Sequence, residues 1–227
     1  MGTTAADAGY RAEMAIIHRA SLTPSKVELL APWVPAQHWL GGMPASDLSA
    51  VGAYRFDDPD GEVGIETHLL TTSTGEVLQV PVTYRAAPLP GADEALIGTM
   101  QHSVLGERWV YDGCADPVYV TALATAILTG GTEAKLEYPP GTDVPPRPVT
   151  TRVVGSGNSD SAPPGAGSVT CVDVGTTTVV RSGDLELVVV RVVGSGRTHA
   201  LPAGRPTLVG TWPGREEPTE LAVVRTA

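Results

Sequence analysis

The sequence has few of the residues that build crosslinked, metal-binding or membrane-spanning proteins. Its 227 residues include only two cysteines, Cys114 and Cys171, and no CxxC pair. The histidines show no spacing typical of a metal site: His18, His38, His68, His102 and His199. No apolar run approaches the ~18 residues that a membrane-spanning helix requires. These absences exclude a disulfide-rich scaffold and predict free cysteines, no metal site and no transmembrane helix.

Basic residues are also scarce, and the chain contains only two lysines, Lys26 and Lys135. The net charge is −10, of which residues 1–131 carry −9 and residues 132–227 carry −1. An acidic surface repels phosphate groups, so we expect neither nucleic acid nor an anionic membrane as a partner. The N-terminus has no basic stretch followed by an apolar one, which predicts a cytoplasmic protein without an export signal.

Turn-forming residues are abundant and predict a fold rich in β-structure. The chain has 26 Gly and 20 Pro but a single Phe. Residues 1–13 are interpreted as a flexible tail, 14–131 as a first domain, 132–150 as a Pro-rich linker and 151–227 as a β-rich second domain. The expected fold class is α+β.

Alternating apolar runs between turn-rich separators predict the strands of both domains. In the first domain they are Met14–Ala20, Leu48–Phe56, Glu62–Leu70, Glu76–Arg85, Ala95–Gln101 and Arg108–Tyr111. In the second they are Val153–Val154, Val169–Val174, Thr176–Arg181, Leu185–Val193, Thr207–Trp212 and Leu221–Val224. The cluster Asp57–Gly61 lacks the ligand spacing of a calcium loop and is interpreted as a hairpin turn.

Two helices are predicted between these strands. Thr23 and Pro24 suit the N-cap and first position of a short helix through Leu30. Asp116 and Pro117 suit the start of a longer helix through Leu128, which Gly130–Gly131 would end. The apolar residues of this second helix form no single stripe, so we expect it to be largely buried.

Several ordered motifs resemble the N-terminal cap of actinobacterial maltokinases. Residues Trp33–Gly42 (WVPAQHWLGG) match a Trp-x-Pro-x-x-x-Trp stretch that leads into small residues. The similarity continues through Gln79–Arg85 (QVPVTYR) and Val110–Asp112, and covers residues 14–131. Met43 departs from the family, which tends to place a Lys there. The resemblance implies a cystatin-like cap, in which an antiparallel sheet wraps a helix.

The second half resembles the small β lobe, similar to a kinase N-lobe, that follows the cap in those kinases. Gly175–Thr178 and Ser182–Asp184 are similar to its small-residue turn and Gly-Asp hairpin. The resemblance places the phosphate-neutralising Lys of that lobe near Val189, with Arg191 as a conceivable substitute, although Arg and Lys are not interchangeable there. Nothing in the chain resembles a His-Gly-Asp catalytic loop. We therefore predict a cap and β lobe without a catalytic lobe, with no catalytic residues and no cofactor.

Three functions remain open from the sequence. The first is a non-catalytic interaction or regulatory module linked to maltose, trehalose or α-glucan (glycogen) metabolism, with a kinase catalytic lobe or a glucan-metabolism enzyme as its protein partner. The second is the accessory part of a split, ATP-dependent sugar kinase completed by a separate catalytic lobe. The third is a carbohydrate-binding module that uses Trp33 and Trp39, although core packing of both indoles is the simpler interpretation.

Two further features bear on partners and ligands. The Gly-Ser-Gly segments at 155–157 and 194–196 lack a full phosphate-loop motif and are better interpreted as linker and hairpin turn. A β-rich domain can leave an open strand edge, which makes a homodimer possible.

Overall fold

The computed structural model describes residues 21–135, 150–158, 160, 165–194 and 204–226. The predicted tail at 1–13, the predicted strand Met14–Ala20 and residues 136–149 of the predicted linker lie outside these residues. Within them the chain forms two antiparallel sheets and two α-helices. The architecture is therefore mostly β, with the helices packed against the sheets.

The first sheet contains the predicted meander and hairpin. Its strands are β1 (Leu22–Thr23), β2 (Ser49–Phe56), β3 (Gly64–Thr71), β4 (Val77–Arg85), β5 (Leu96–His102) and β6 (Gly106–Asp112), in the order β1-β5-β6-β4-β3-β2. Between β2 and β3, the Asp58 carboxylate accepts hydrogen bonds from the backbone N–H groups of Asp60, Glu62 and Val63. The cluster Asp57–Gly61 is thus a hairpin turn, as predicted.

The second sheet contains the predicted strands of the other half. They are β7 (Arg152–Gly155), β8 (Thr170–Val174), β9 (Thr177–Ser182), β10 (Leu185–Val190), β12 (Thr207–Trp212) and β13 (Arg215–Thr226), in the order β7-β12-β13-β10-β9-β8. The predicted strand Leu185–Val193 is interrupted at Arg191. After this break the short strand β11 (Val192–Val193) leaves the second sheet.

The strand β11 joins the two halves, because it pairs with the first sheet. Val192 lies opposite Leu78 and Val193 opposite Val77, on the same edge of β4 that β6 occupies further along. The buried side chain of Gln79 adds to this junction. Its amide donates to the carbonyl oxygens of Val190 (2.8 Å) and Leu221 (2.9 Å). The division of the chain into two domains stays a prediction.

The first helix begins later than the sequence predicts. Helix α1 spans Lys26–Leu30, and its N-cap is Ser25 rather than Thr23. Ser25 and Glu28 form a capping box, in which each side chain accepts a hydrogen bond from the other residue's backbone N–H. The prediction of Thr23 as N-cap was wrong because this reciprocal pair satisfies two N–H groups at once, whereas β1 takes Thr23 into the sheet.

The second helix follows its predicted capping signals. Helix α2 spans Pro117–Thr129, begins after the N-cap Asp116 and ends at Gly130 in the left-handed conformation, with φ of 72°. The Asp116 carboxylate accepts the N–H of Val118 and the hydroxyl of Thr83. A bidentate ion pair with Arg85, at 2.6 and 2.7 Å, fixes the start of α2 to β4.

Helix α2 lies between the two sheets, which explains why it has no single apolar stripe. The main core combines α2 with residues from both sheets: Tyr54, Ile65 and Leu69, Tyr119, Val120, Leu123 and Ile127, and Leu187, Val189, Leu208 and Leu221. On the opposite side of the first sheet, α1 and two short 3-10 turns at Val34–Ala36 and His38–Leu40 cover a second core. The sheets are thus held together mainly by burial of apolar surface.

Candidate functional site

The position at which the resemblance places the phosphate-binding Lys lies in the core. Val189 is 0% exposed on β10 and packs in the cluster that contains α2. Both of its neighbours in the strand, Val188 and Val190, are buried as well. An ammonium group on this side chain would face apolar residues rather than a nucleotide, and burying an unpaired charge is costly. This strand therefore offers no cation at Val189.

Arg191 is equally inaccessible, because the junction between the halves encloses it. It is 0% exposed, and its guanidinium pairs with the Asp112 carboxylate at 2.5 Å and donates to the Thr178 hydroxyl at 2.8 Å. The guanidinium carbon also lies 5.5 Å from the centre of the Trp39 ring. Burial opposes the charge, but Asp112 outweighs it and raises the pKa of Arg191. Arg191 is a structural cation with an internal partner.

The segment Gly155–Gly157 uses its backbone donors to close helix α2. The N–H of Gly157 donates to the carbonyl of Ile127, and the N–H of Gly155 donates to the carbonyl of Gly131, both at 2.9 Å. These donors are not free for a phosphate, and a helix C-terminus carries the partial negative charge. The segment is a helix-capping turn. In the second Gly-Ser-Gly segment, Ser195 and Gly196 lie outside the described residues.

The two candidate sugar-stacking residues lie side by side but differ in exposure. Trp39 is 1% exposed, whereas Trp33 is half-buried at the rim of the same core. Their ring centres are 6.3 Å apart and the ring planes are tilted by 54°. The ring of Trp39 packs against its neighbours in the core and against Arg191, so a ligand has no access to it. Only Trp33 presents part of its ring for contact with a ligand, so carbohydrate binding stays a prediction.

The two cysteines, far apart in sequence, meet at the same junction. The Cys171 thiol donates to the backbone carbonyl of Cys114 at 2.9 Å, and both cysteines are free. Burial raises the pKa of Cys114 well above its ordinary value and raises that of Cys171 to about 12. Thiolates are the reactive form, so the buried Cys114 thiol is a packing residue, whereas the Cys171 residue is exposed. The sequence does not predict this contact, because the two cysteines are 57 residues apart.

A buried polar cluster on the other side of the first sheet was missed by sequence reasoning. Glu66 and His68 point to the same side of β3, where Tyr84 of β4 and Lys26 of α1 meet them. Lys26 pairs with the Glu66 carboxylate at 2.5 Å, and the Tyr84 hydroxyl lies 3.0 Å from His68 Nε2 and donates to Glu66 at 3.3 Å. The signal was available, since Glu66 and His68 are titratable residues at alternate positions of a strand that also contains Ile65, Leu69 and Leu70.

The cluster should make stability depend on pH. Burial alone would raise the pKa of Glu66, but His68 and Lys26 outweigh it and lower that pKa to about 2. Burial lowers the pKa of His68, against the attraction of Glu66. Both groups therefore stabilise the fold above their unfolded pKa values, near 4.5 and 6.5. The free energy of unfolding should fall as the pH drops below 6.5, and Glu66 should account for up to about 3 kcal/mol between pH 4.5 and 2.

Urea unfolding of the wild-type chain at a series of pH values measures this loss. Glu66→Gln should flatten the profile below pH 4.5, and His68→Gln should reduce the slope just below pH 6.5. Profiles of the two variants that run parallel to the wild type would contradict the assignment.

A shallow groove of about 270 Å³ runs along β7. It is lined by Thr132–Glu133, Arg152–Val154, Val209–Thr211 and Pro218. Its charged groups, Glu133 and Arg152, pair with each other at 2.7 Å. The second Glu133 oxygen accepts the N–H of Val153. The charged groups that could orient a ligand are therefore already paired.

Metal-binding clusters and membrane-spanning helices are two other classes of feature to consider in the described residues. Among them, no group of three or more His, Cys, Asp or Glu side chains is arranged to hold a metal ion. The same part of the chain contains no helix with the length and apolar character needed to span a bilayer.

Comparison with known families agrees with the resemblance seen in the sequence. Residues 33–116 match the family described as the maltokinase N-terminal cap domain. The match begins at Trp33 and ends at Asp116, so it contains strands β2 to β6 and the N-cap of α2. The predicted similarity to that cap family is confirmed over this segment, which is less than half of the chain. No curated protein matches the sequence.

Proposed function

We propose that these 227 residues form a non-catalytic interaction module in maltokinase-type α-glucan metabolism. The match to the maltokinase cap domain supports the link to this metabolism. The buried position of Val189 carries the non-catalytic part of the proposal. In this view the cap fold is kept as a binding scaffold, and its partner is a kinase catalytic lobe or another enzyme of glucan metabolism.

Phosphoryl transfer requires positive charge close to the nucleotide phosphates. Kinases accelerate this reaction chiefly by positioning the phosphates and neutralising their charge. On β10 a core valine replaces the expected cation, and the nearby Arg191 is paired with Asp112. The backbone N–H groups of Gly155 and Gly157 donate to carbonyl groups at the end of α2 and just after it. Each of the three candidate phosphate-binding elements is thus committed to packing. A cystatin-like cap and a β lobe that resembles a kinase N-lobe remain the proposed folds of the two halves.

Calorimetric titration of the intact chain with ATP, with and without Mg²⁺, tests the proposal. We expect no saturable binding, which means a Kd weaker than about 1 mM. A maltokinase titrated under the same conditions serves as the positive control, and circular dichroism verifies that the chain is folded. Saturable, Mg²⁺-dependent binding would contradict the non-catalytic assignment.

The strongest alternative is the accessory part of a split sugar kinase. The pairing of β11 with β4 favours it, because cap and β-rich half then form one preassembled unit that a catalytic lobe could complete. In that case ATP should bind, and mixing with a separately produced catalytic lobe should restore phosphoryl transfer. Carbohydrate binding rests on the half-exposed Trp33, and fluorescence titration with maltose, trehalose and α-glucan addresses it.

A further inference from the structure

The outer edges of the first sheet carry features that prevent pairing with another strand. At one end, β1 contains only two residues. At the other end, β2 is interrupted by an irregularity between Ala50 and Gly52. The carbonyl of Arg55 on β2 also accepts the N–H of Ala134 at 2.8 Å, so a returning segment covers part of that edge. Short strands, bulges and covering segments are how proteins protect sheet edges.

One edge of the second sheet is protected in the same way. Val154 of β7 forms a bridge with Thr132, and the neighbouring N–H of Val153 donates to the Glu133 carboxylate at 2.9 Å. The charged side chain of Arg152 lies on this edge strand and pairs with Glu133. The backbone N–H groups of Val153 and Gly155 on β7 are therefore taken by Glu133 and Gly131.

The opposite edge, β8, has neither a bulge nor a covering segment paired with its backbone among the described residues, and its one charged side chain, Asp173, accepts a hydrogen bond from Thr178 within the sheet. All five of its residues are exposed, with Val172 at 54% and Val174 at 42%. The strand contains no Lys, Pro or Gly, and its register with β9 is unbroken from Thr170 to Val174. Its backbone pairs only with β9 among the described residues. An open, regular edge of this kind is a template for strand addition.

Side chains on one face of strand β8 also hold the strand in place. The Cys171 thiol donates to the Cys114 carbonyl, and the Asp173 carboxylate accepts the Thr178 hydroxyl at 2.7 Å. Side chains alternate along a strand, so Thr170, Val172 and Val174 share the opposite face. A strand that is already ordered loses little conformational entropy when a partner binds.

We propose that β8 pairs antiparallel with β8 of a second copy of this chain, with the two-fold axis at Val172. This register places Val172 opposite Val172 of the second copy, and Thr170 opposite Val174. It also places Asp173 opposite the neutral thiol of Cys171, so no like charges face each other. The pairing would extend the six-stranded sheet into a continuous sheet of two copies.

The apolar surface of the strand favours a second copy as the occupant. Val172 lies beside Val179, which lies beside Val188, and Val188 lies beside Val223, so a row of valines crosses four strands. Val179, Val188 and Val223 are buried, and the row ends at the exposed Val172. Self-pairing continues this row across the two-fold axis and removes that last valine from water.

Light scattering with size-exclusion chromatography over a range of protein concentrations tests the proposal. The full chain should shift from monomer to dimer as concentration rises. Val172→Lys should raise the dissociation constant at least about tenfold by placing two ammonium groups opposite each other. Val154→Lys, at a position on β7 that is 44% exposed, is the matched control and should leave the dimer unchanged. Circular dichroism verifies that both variants fold.

Crosslinking identifies the register independently of affinity. Val172→Cys should form an intermolecular disulfide under mild oxidation by glutathione disulfide, because residues opposite each other at the axis lie close together. Val154→Cys should not. A wild-type chain that stays monomeric up to about 1 mM overturns the proposal. So does a dimer that Val172→Lys leaves intact, or a chain that pairs only with a different protein. Self-association is independent of ATP, so this result and the ATP titration can fail separately.

Discussion

Replacing Asp112 by asparagine should lower the free energy of unfolding by about 3–5 kcal/mol, because it leaves a buried charge without its partner. Arg191 is 0% exposed and cannot turn to water when the carboxylate is lost. Its Nη1 already has no hydrogen-bond partner among the described residues, so the site has no spare acceptor to replace Asp112. Asparagine keeps an oxygen that can accept from the N–H of Cys114, as Asp112 does, and so isolates the effect of charge. Chemical denaturation of both proteins measures the difference.

The double variant Asp112→Asn with Arg191→Met provides the control for this experiment. Removing both charges should recover most of the lost stability, since methionine fills much of the same volume without needing a partner. If Asp112→Asn costs less than about 1 kcal/mol, the pair is screened by water and the junction is more open than the geometry indicates. Non-recovery in the double variant would indicate that packing, not charge, dominates the site.

The second large effect is expected at Gly155, where the turn touches helix α2. A Cβ atom there would lie 1.9 Å from the carbonyl oxygen of Ala126 and 2.8 Å from its carbonyl carbon. Both atoms belong to the helix backbone and cannot rotate away. Gly155→Ala should therefore cost about 4 kcal/mol or more, through displacement of β7 or of the end of α2. Thermal and chemical denaturation give the magnitude.

Gly165→Ala is the matched control, because it makes the same substitution at a glycine with open space around it. A Cβ atom at Gly165 meets nothing within 4 Å. Its stability should stay within about 0.5 kcal/mol of the wild type. Equal effects at the two positions would show that the change in backbone freedom, rather than contact with α2, determines the loss of stability.

Much of the fold follows from local features of the sequence. The strands were predictable because apolar runs alternate with Gly- and Asp-rich turns, as in the hairpin turn around Asp58. Helix α2 was predictable because Asp116, Pro117 and Gly130 are strong capping signals. The start of α1 was predicted wrongly, since the pair Thr23–Pro24 and the box Ser25–Glu28 are both plausible caps. Only tertiary pairing of Thr23 in β1 distinguishes them.

The junction between the halves could not be predicted in this way. Arg191 and Asp112 are separated by 79 residues, and Cys171 and Cys114 by 57. No periodicity links positions so far apart, and their contact depends on β11 entering the other sheet. Arg191 in the valine-rich run from Leu185 to Val193 was a hint, because a charged residue there must find a partner or leave the strand. It does both.

The pairing of β11 from the second half with β4 of the first sheet has a consequence for how the gene is inherited. A gene fragment ending at residue 131 would encode a first sheet in which β4 lacks the neighbour opposite Val77 and Leu78. The amide of Gln79 would lose the acceptors Val190 and Leu221. Recombination that separated the two coding segments would thus damage both products. The coding segments for the first sheet and for the β-rich half are therefore expected to have been recombined, duplicated or lost together.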